Sequence, residues 1–367
     1  MIPINLPKIG EEEVEAVVKV LRSGIVTSAL GAGPMVTTFE KNYAKFAGVK
    51  HAIAVNTGTA ALHMAVVAAG VKAGDEVILP SFTFVATAEA VVMAGGKPVF
   101  TDIDPETYCL SPAAVEKAVT KKTKVILPVD LYGWPADIKP LREIAAKHNL
   151  AIVEDAAQAH GATRSGKPAG AFADMACWSL YASKNMTTGE GGVVTTDSDE
   201  LAEKLHMLRT HGEKAKYSSE MLGYNYRMPE IEAAIGLVQL EKLPSFVASR
   251  RAHAKRLSEI LSKNERLKRP VEPQGGLHSW YLYTVRLMNS DAKERNRILD
   301  EMKKKGIGAE AYYVNPVHLM PYYLNSFGAR KLPETEKASE QVFSLPVHPR
   351  VTEEQVVDIG KTLLQLL

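Results

Sequence analysis

HAIAVNTGTAALHMAVVAAGVKAGDEVILP, residues 51–80, decides the fold. Two short runs in it, HAIAV (51–55) and EVILP (76–80), are apolar almost throughout, and the stretch AALHMAVVAAG between them has helical character. Strands that are apolar on both faces and separated by helices belong to a mainly parallel sheet covered on both sides. The alternation continues through PVFTD (98–102), VILPV (125–129), AIVED (151–155), MACWSL (175–180) and GGVVTT (191–196). Helical stretches such as TAEAVVMAGG (87–96) and IKPLREIAAKHN (138–149) lie between them. The expectation is an α/β fold with one seven-stranded sheet. Ligands of such sheets collect at the carboxyl ends of the strands.

Upstream, Val14, Val17, Val18 and Leu21 repeat at helical spacing, Glu11 to Glu13 suit a helix N-terminus, and Gly24 suits a C-terminal stop. A Gly-rich turn, SALGAGP (28–34), follows. Downstream, helical patterns run from Pro229 to Leu240 and from Pro244 to Leu261. HSWYLYTVRL (278–287) then alternates like a strand, residues 292–305 form an amphipathic helix, and AEAYYV (309–314) is strand-like. Thr352 with Gln355 has the spacing of a capping box for a closing helix. This division predicts a large domain over 1–240 and a smaller α+β domain over 241–367, joined through a helix.

Composition excludes several classes. A 46% apolar, 23% charged chain of 367 residues is long enough for two cores and carries no signature of disorder. The net charge of +2 and the absence of a basic, aromatic-interleaved tract argue against nucleic acid. No window approaches the roughly 18 apolar residues that span a bilayer. The start, MIPINLPKIGEEE, does not read as a signal peptide. Cys109 and Cys177 alone make neither a disulfide scaffold nor a metal site, so the expectation is a cytoplasmic protein with two buried thiols and no metal.

Three strand ends carry chemistry. Thr57, Gly58 and Thr59 close one strand and open a helix, where unbonded amides and hydroxyls suit a phosphate. Asp155, in VEDAAQAHG (153–161), ends a buried strand and needs a charged or strongly donating partner, such as a pyridinium N–H. His160 reads as a solvent-facing or capping histidine. Lys184, in WSLYASKNMTTGEGG (178–192), follows another buried strand, with Ser179, Ser183 and Asn185 around it. A phosphate cradle, an acid for a ring nitrogen and an amine for an aldehyde are the anchors of pyridoxal 5′-phosphate (PLP). There is no GxGxxG and no P-loop motif.

The segments NTGTAAL, PSFTFVATAEAV, PVFTDID, PVDLYG, VEDAAQAHGA, SLYASKNMTTGEGG, GYNYRMPEIEAAIG and PVHLMPYY together resemble the DegT/DnrJ/StrS family of sugar aminotransferases, within the fold-type-I PLP transferases. The resemblance covers nearly the whole chain. It implies that Lys184 is the Schiff-base lysine and that Asp155 pairs with the ring nitrogen. It also implies that Gly58, Thr59 and Ser179 hold the phosphate and that Phe84 stacks on the ring. Gln158 is implied to contact the ring face or its 3-hydroxyl. Asn225 matches an asparagine that reaches the neighbouring subunit's phosphate, which implies a homodimer with shared sites. Arg227 is a candidate for the donor's carboxylate, and Tyr313 and His318 for the border of the sugar pocket.

The activity so implied is transfer of an amino group, from glutamate, to a keto-sugar on a nucleotide diphosphate by a ping-pong route. Asp130, in PVDLYG, stands where family members often carry His. Two rivals stay open on sequence: another PLP enzyme of the same fold, such as a lyase or an aminodehydroxybenzoate-type synthase, and a PLP-binding regulator.

Overall fold

The structure, a computed structural model, describes residues 1–27, 33–272 and 275–367, so most of the Gly-rich 28–34 stretch lies outside the described residues. Seven strands form the large sheet: β1 (His51–Val55), β2 (Glu76–Pro80), β3 (Lys97–Thr101), β4 (Thr123–Ile126), β5 (Ala151–Asp155), β6 (Met175–Ser179) and β7 (Gly192–Thr196). Their order is β1-β7-β6-β5-β4-β2-β3, and only β7 runs against its neighbours. Every expected apolar run is a strand of this sheet. The run at 125–129 ends early because Pro128 has no N–H for a ladder. Its backbone still bonds to β5, through Asp155 N to Pro128 O at 2.9 Å and Asp130 N to Asp155 O at 3.0 Å.

Alternation along each strand divides the side chains between two layers. On β5, Val153 points into the cluster built by α3 (Gly58–Ala68), α4 (Ala86–Met93) and α7 (Asp199–Arg209). Ile152 points the other way, towards α5 (Pro112–Ala118) and α6 (Ile138–His148). The helices α1 (Glu11–Ser23) and α2 (Pro34–Ala47) pack on α8 (Glu230–Ile260). Glu230 ties the start of α2 down, accepting Gly33 N at 3.0 Å and Met35 N at 2.7 Å, where a carboxylate suits the helix dipole.

The two helical patterns after Pro229 are one 31-residue helix, α8, with Pro244 inside it. An interior proline costs about 3 kcal/mol, and burial of Leu243, Phe246 and Val247 beside it offsets that cost. α8 leads into a second, antiparallel sheet of β8 (Leu267–Lys268), β9 (Tyr283–Leu287) and β10 (Val342–Leu345). Helices α9 (Ala292–Lys304) and α12 (Glu353–Leu366) cover it, with α11 (Pro333–Gln341) alongside, whereas α10 (Pro321–Phe327) packs Tyr323 against Phe100 of the large sheet. The Thr352–Gln355 capping box is present.

Two expected strands are shorter or absent. The first half of HSWYLYTVRL is irregular, because Trp280 adopts φ +51 and residues 279 and 282 bond to Gly133 and Tyr132 instead. AEAYYV makes one bridge, Glu310 to Ser344, and then turns at Tyr313, φ +60. No helix among the described residues is long and apolar enough to cross a membrane.

Candidate active site

The carboxyl ends of β1, β5 and β6 open onto one cavity of about 510 Å³, within the range of small-molecule sites. At the end of β1, Thr57 caps α3 by accepting Ala60 N at 3.0 Å. This leaves the first α3 amides, those of Gly58 and Thr59, directed at the cavity. Space there is tight: a Cβ on Gly58 would sit 2.8 Å from Ser179 Cβ, and one on Gly192 would sit 2.3 Å from Thr57 O. Glycine at both positions lets β6, β7 and the α3 start close into one cradle.

Asp155, at the end of β5, is buried at 5% exposure. Its Oδ2 accepts Thr87 Oγ1 at 2.8 Å and its Oδ1 accepts Ala157 N at 3.2 Å. Thr83 extends the relay to Thr87 at 2.9 Å. Burial pushes the Asp155 pKa up, against the pull of Thr87, Ala157 and the Lys184 charge. Among the described residues no cation lies within 4.0 Å of it. A buried carboxylate with two neutral donors lacks a charged partner, and a pyridinium nitrogen fits that need.

Lys184 follows β6 in a turn closed by Lys184 N to Tyr181 O at 2.9 Å. Its Nζ lies 4.7 Å from the Tyr281 ring centre, and Tyr281 OH meets Ser183 Oγ at 3.0 Å. The tight turn is fastened by Asn185, which donates to Ser279 O at 3.1 Å and His160 O at 3.3 Å. His160 is fully buried behind this turn and not solvent-facing; burial and the Lys184 charge push its pKa down to about 3. It packs as a neutral ring 5.1 Å from Trp178.

Gly58, Thr59, Phe84, Asp155, Gln158, Ser179, Lys184 and Tyr313 all line this one cavity. Phe84 is 61% exposed at its rim. Gln158 accepts Tyr132 N at 2.8 Å and donates to Tyr313 OH at 2.8 Å. Asn225 and Arg227 lie outside the cavity, on the segment whose backbone bridges Thr210 and Val55. His318 is placed elsewhere and does not border the pocket. It is 1% exposed, bonded to Ser81 Oγ at 2.6 Å and facing Glu336 at 3.4 Å, because its helical turn packs back onto the end of β2.

Thr87 and Tyr281 are lining residues that sequence reading missed. Thr87 had a signal: a hydroxyl on the helix ATAEAVVM, whose only other polar side chain is Glu89. Tyr281 had none, since its stretch reads as a plain strand.

This geometry fits PLP on its own terms, with an amide cradle, an unpaired buried acid and an amine around one cavity. The DegT/DnrJ/EryC1/StrS aminotransferase family model matches residues 7–364. GDP-perosamine synthase of Caulobacter vibrioides is 38% identical, covering 100% of this chain and 98% of its own. Among solved structures, DesV of S. venezuelae matches with a TM-score of 0.92 at 36% identity, over 99% of this chain and 98% of that one. Spr1654 of Streptococcus pneumoniae, a putative sugar aminotransferase solved in its PLP form, matches with a TM-score of 0.93 at 30% identity, over 100% and 99%. With the fold, the cavity and these likenesses in agreement, the chain belongs to the DegT/DnrJ/EryC1/StrS aminotransferase family and is a PLP-dependent aminotransferase.

Proposed function

We propose that this enzyme takes an amino group from glutamate and passes it to a keto-sugar carried on a nucleotide diphosphate, in two half-reactions at sites shared across a homodimer. The observation that carries the reading is the convergence of Lys184, Asp155 and the Gly58–Thr59 amides on one cavity of about 510 Å³. The sugar part draws on the GDP-perosamine synthase likeness.

Bound PLP supplies a ring that accepts the electrons left when the donor's α-carbon loses its proton. Gly58, Thr59 and Ser179 hold the phosphate, and Phe84 and Gln158 fix the plane of the ring. Asp155 keeps a proton on the ring nitrogen. Lys184 Nζ accepts the proton from the donor's α-carbon and delivers one back, the work of a general base and acid. Tyr281 and Ser183 keep Nζ on that side of the cavity. Tyr313 borders the sugar.

A dimer is supported by α1, which leaves apolar side chains facing outward in a single chain. Glu13 is 2% exposed, bonded to Lys242 and Gln239, while Val14 and Leu21 are 49% and 55% exposed. Apolar side chains left facing outward on a helix mark an interface. Asn225, exposed and outside its own cavity, is offered to the partner's phosphate.

Glutamate alone is expected to convert the enzyme to its pyridoxamine phosphate form, read by absorbance, and a panel of nucleotide keto-sugars to restore the starting spectrum. Failure of the first half overturns the donor, and failure of the whole panel after a successful first half overturns the acceptor.

A further inference from the structure

Behind the cofactor wall lie two acids that the chemistry above does not use. Asp130 is fully buried and Glu154 is 1% exposed. Glu154 precedes Asp155 on β5, so it points to the opposite face of the sheet. Each carboxyl spends one oxygen on a backbone amide: Asp130 Oδ1 accepts Ala136 N at 2.8 Å and Glu154 Oε1 accepts Gly170 N at 3.0 Å. The second oxygens, Asp130 Oδ2 and Glu154 Oε2, are buried with no donor among the described residues. The two carboxyls are within hydrogen-bonding reach of each other. Two buried carboxylates that meet through bare oxygens repel, and one proton between them turns repulsion into a short, charge-assisted bond.

We propose that Asp130 and Glu154 share a single proton, carried on Asp130, and that this bond makes Asp130 a positioning residue for the cofactor wall. The segment it pins is the hub of that wall. Asp130 N donates to Asp155 O, Tyr132 N to Gln158 Oε1, and Leu282 N, next to Tyr281, to Tyr132 O. One proton therefore holds the backbone that sets Asp155, Gln158 and Tyr281.

Burial, then the charge of Glu154, raises Asp130 well above the carboxylate range; burial also raises Glu154, which the bond from Asp130 draws back down. The other groups facing the pair are Asp155, which raises both, and Arg142 of α6, which lowers Glu154 and is itself held by Asp174 at 2.9 Å. The thiols of Cys109 and Cys177 are pushed up by burial and stay neutral. A folded state that binds this proton more tightly than the unfolded chain is favoured below the unfolded aspartate range, about pH 4. That advantage is lost as pH climbs through the raised value.

The inference rests on Asp155 and Gln158 forming the cofactor wall and not on the donor or the sugar, and its main readouts need no turnover. Difference infrared spectroscopy of the apoprotein at pH 7 should show a protonated-carboxyl band that shifts on [13C]aspartate labelling. Asp130→Asn should remove it, and Glu154→Gln, which ends the charge-assisted bond, should shift it. The fall of apoprotein melting temperature from pH 5 to 9 (about one to five units above the unfolded aspartate pKa) should be shallower in Asp130→Asn. In the holoenzyme, Asp130→Ala should lower kcat/KM by up to about 100-fold, and Asp130→Asn, which keeps a donor towards Glu154, should recover most of that loss. Absence of an aspartate-sensitive band in the unaltered protein overturns the proposal, as does Asp130→Asn being no better than Asp130→Ala.

Discussion

Thr87 Oγ1, 2.8 Å from Asp155 Oδ2, is the one side-chain donor that this buried carboxylate has among the described residues. Thr87→Val removes a hydrogen bond to a charged group, worth roughly 1.5–3 kcal/mol. With burial already raising Asp155, loss of that donor raises it further. Asp155 must be ionised to keep its partner protonated, so the acid limb of the kcat/KM profile should move to higher pH. A limb that stays put or moves down would remove Thr87 from the site. Lys184→Ala should abolish covalent trapping of the cofactor by borohydride and lower turnover at least about 100-fold; trapped cofactor in this variant would mean another lysine carries it. Asp155 and Lys184 were legible because strand ends of a parallel sheet are where chemistry sits, and each is a charged residue after an apolar run. Thr87 and Tyr281 were not, because a helix threonine and a strand tyrosine have ordinary structural uses. His318 misled for the converse reason: its motif marks a site in sequence, whereas packing against Ser81 and Glu336 consumes it.

At the scale of elements, the site depends on how closely β7 approaches the start of α3. Gly192→Ala would set a methyl 2.3 Å from Thr57 O and 2.8 Å from Gly58 N, and overpacking of this kind costs roughly 1–3 kcal/mol. The cradle must give way, so the dissociation constant for PLP should rise while the far sheet of β8, β9 and β10 is unaffected. Equilibrium dialysis of apoprotein with PLP measures this; unchanged affinity would place the phosphate elsewhere. The seven strands were readable because two-sided burial leaves continuous apolar runs. The cap at Thr352 was readable because its chemistry is local. The segments 278–282 and 309–314 were not readable: their alternating pattern is set by side chains entering the cavity wall and small sheet from bent backbone, with Trp280 and Tyr313 at positive φ.

For the whole molecule, the proposed dimer rests on the outward apolar side chains of α1. Leu21→Glu puts a charge among them, away from the cavity residues, and should shift the sedimenting mass from dimer towards monomer. A mass unchanged by the substitution would remove α1 from the interface, and a monomeric unaltered protein would remove the dimer altogether. The apolar spacing of Val14, Val17, Val18 and Leu21 announced a helix but not which way it faced, because periodicity reports a stripe and the bonds of Glu13 to Gln239 and Lys242 choose its direction.

α8 has a mechanical consequence. Its 31 residues, at 1.5 Å each, make a rod about 46 Å long that is continuous past residue 240. From its far half, Arg250 grips Trp280 O and Tyr281 O at 3.3 and 3.0 Å, so one wall of the cavity is bolted to this rod. The small layer cannot swing on a loop; to approach the cavity it must flex a beam. The beam is weakest at Pro244, where one rung of its backbone ladder is missing. Pro244→Ala supplies that rung and should slow hydrogen exchange over residues 241–248. If exchange there does not slow, the flexing point lies elsewhere along the beam.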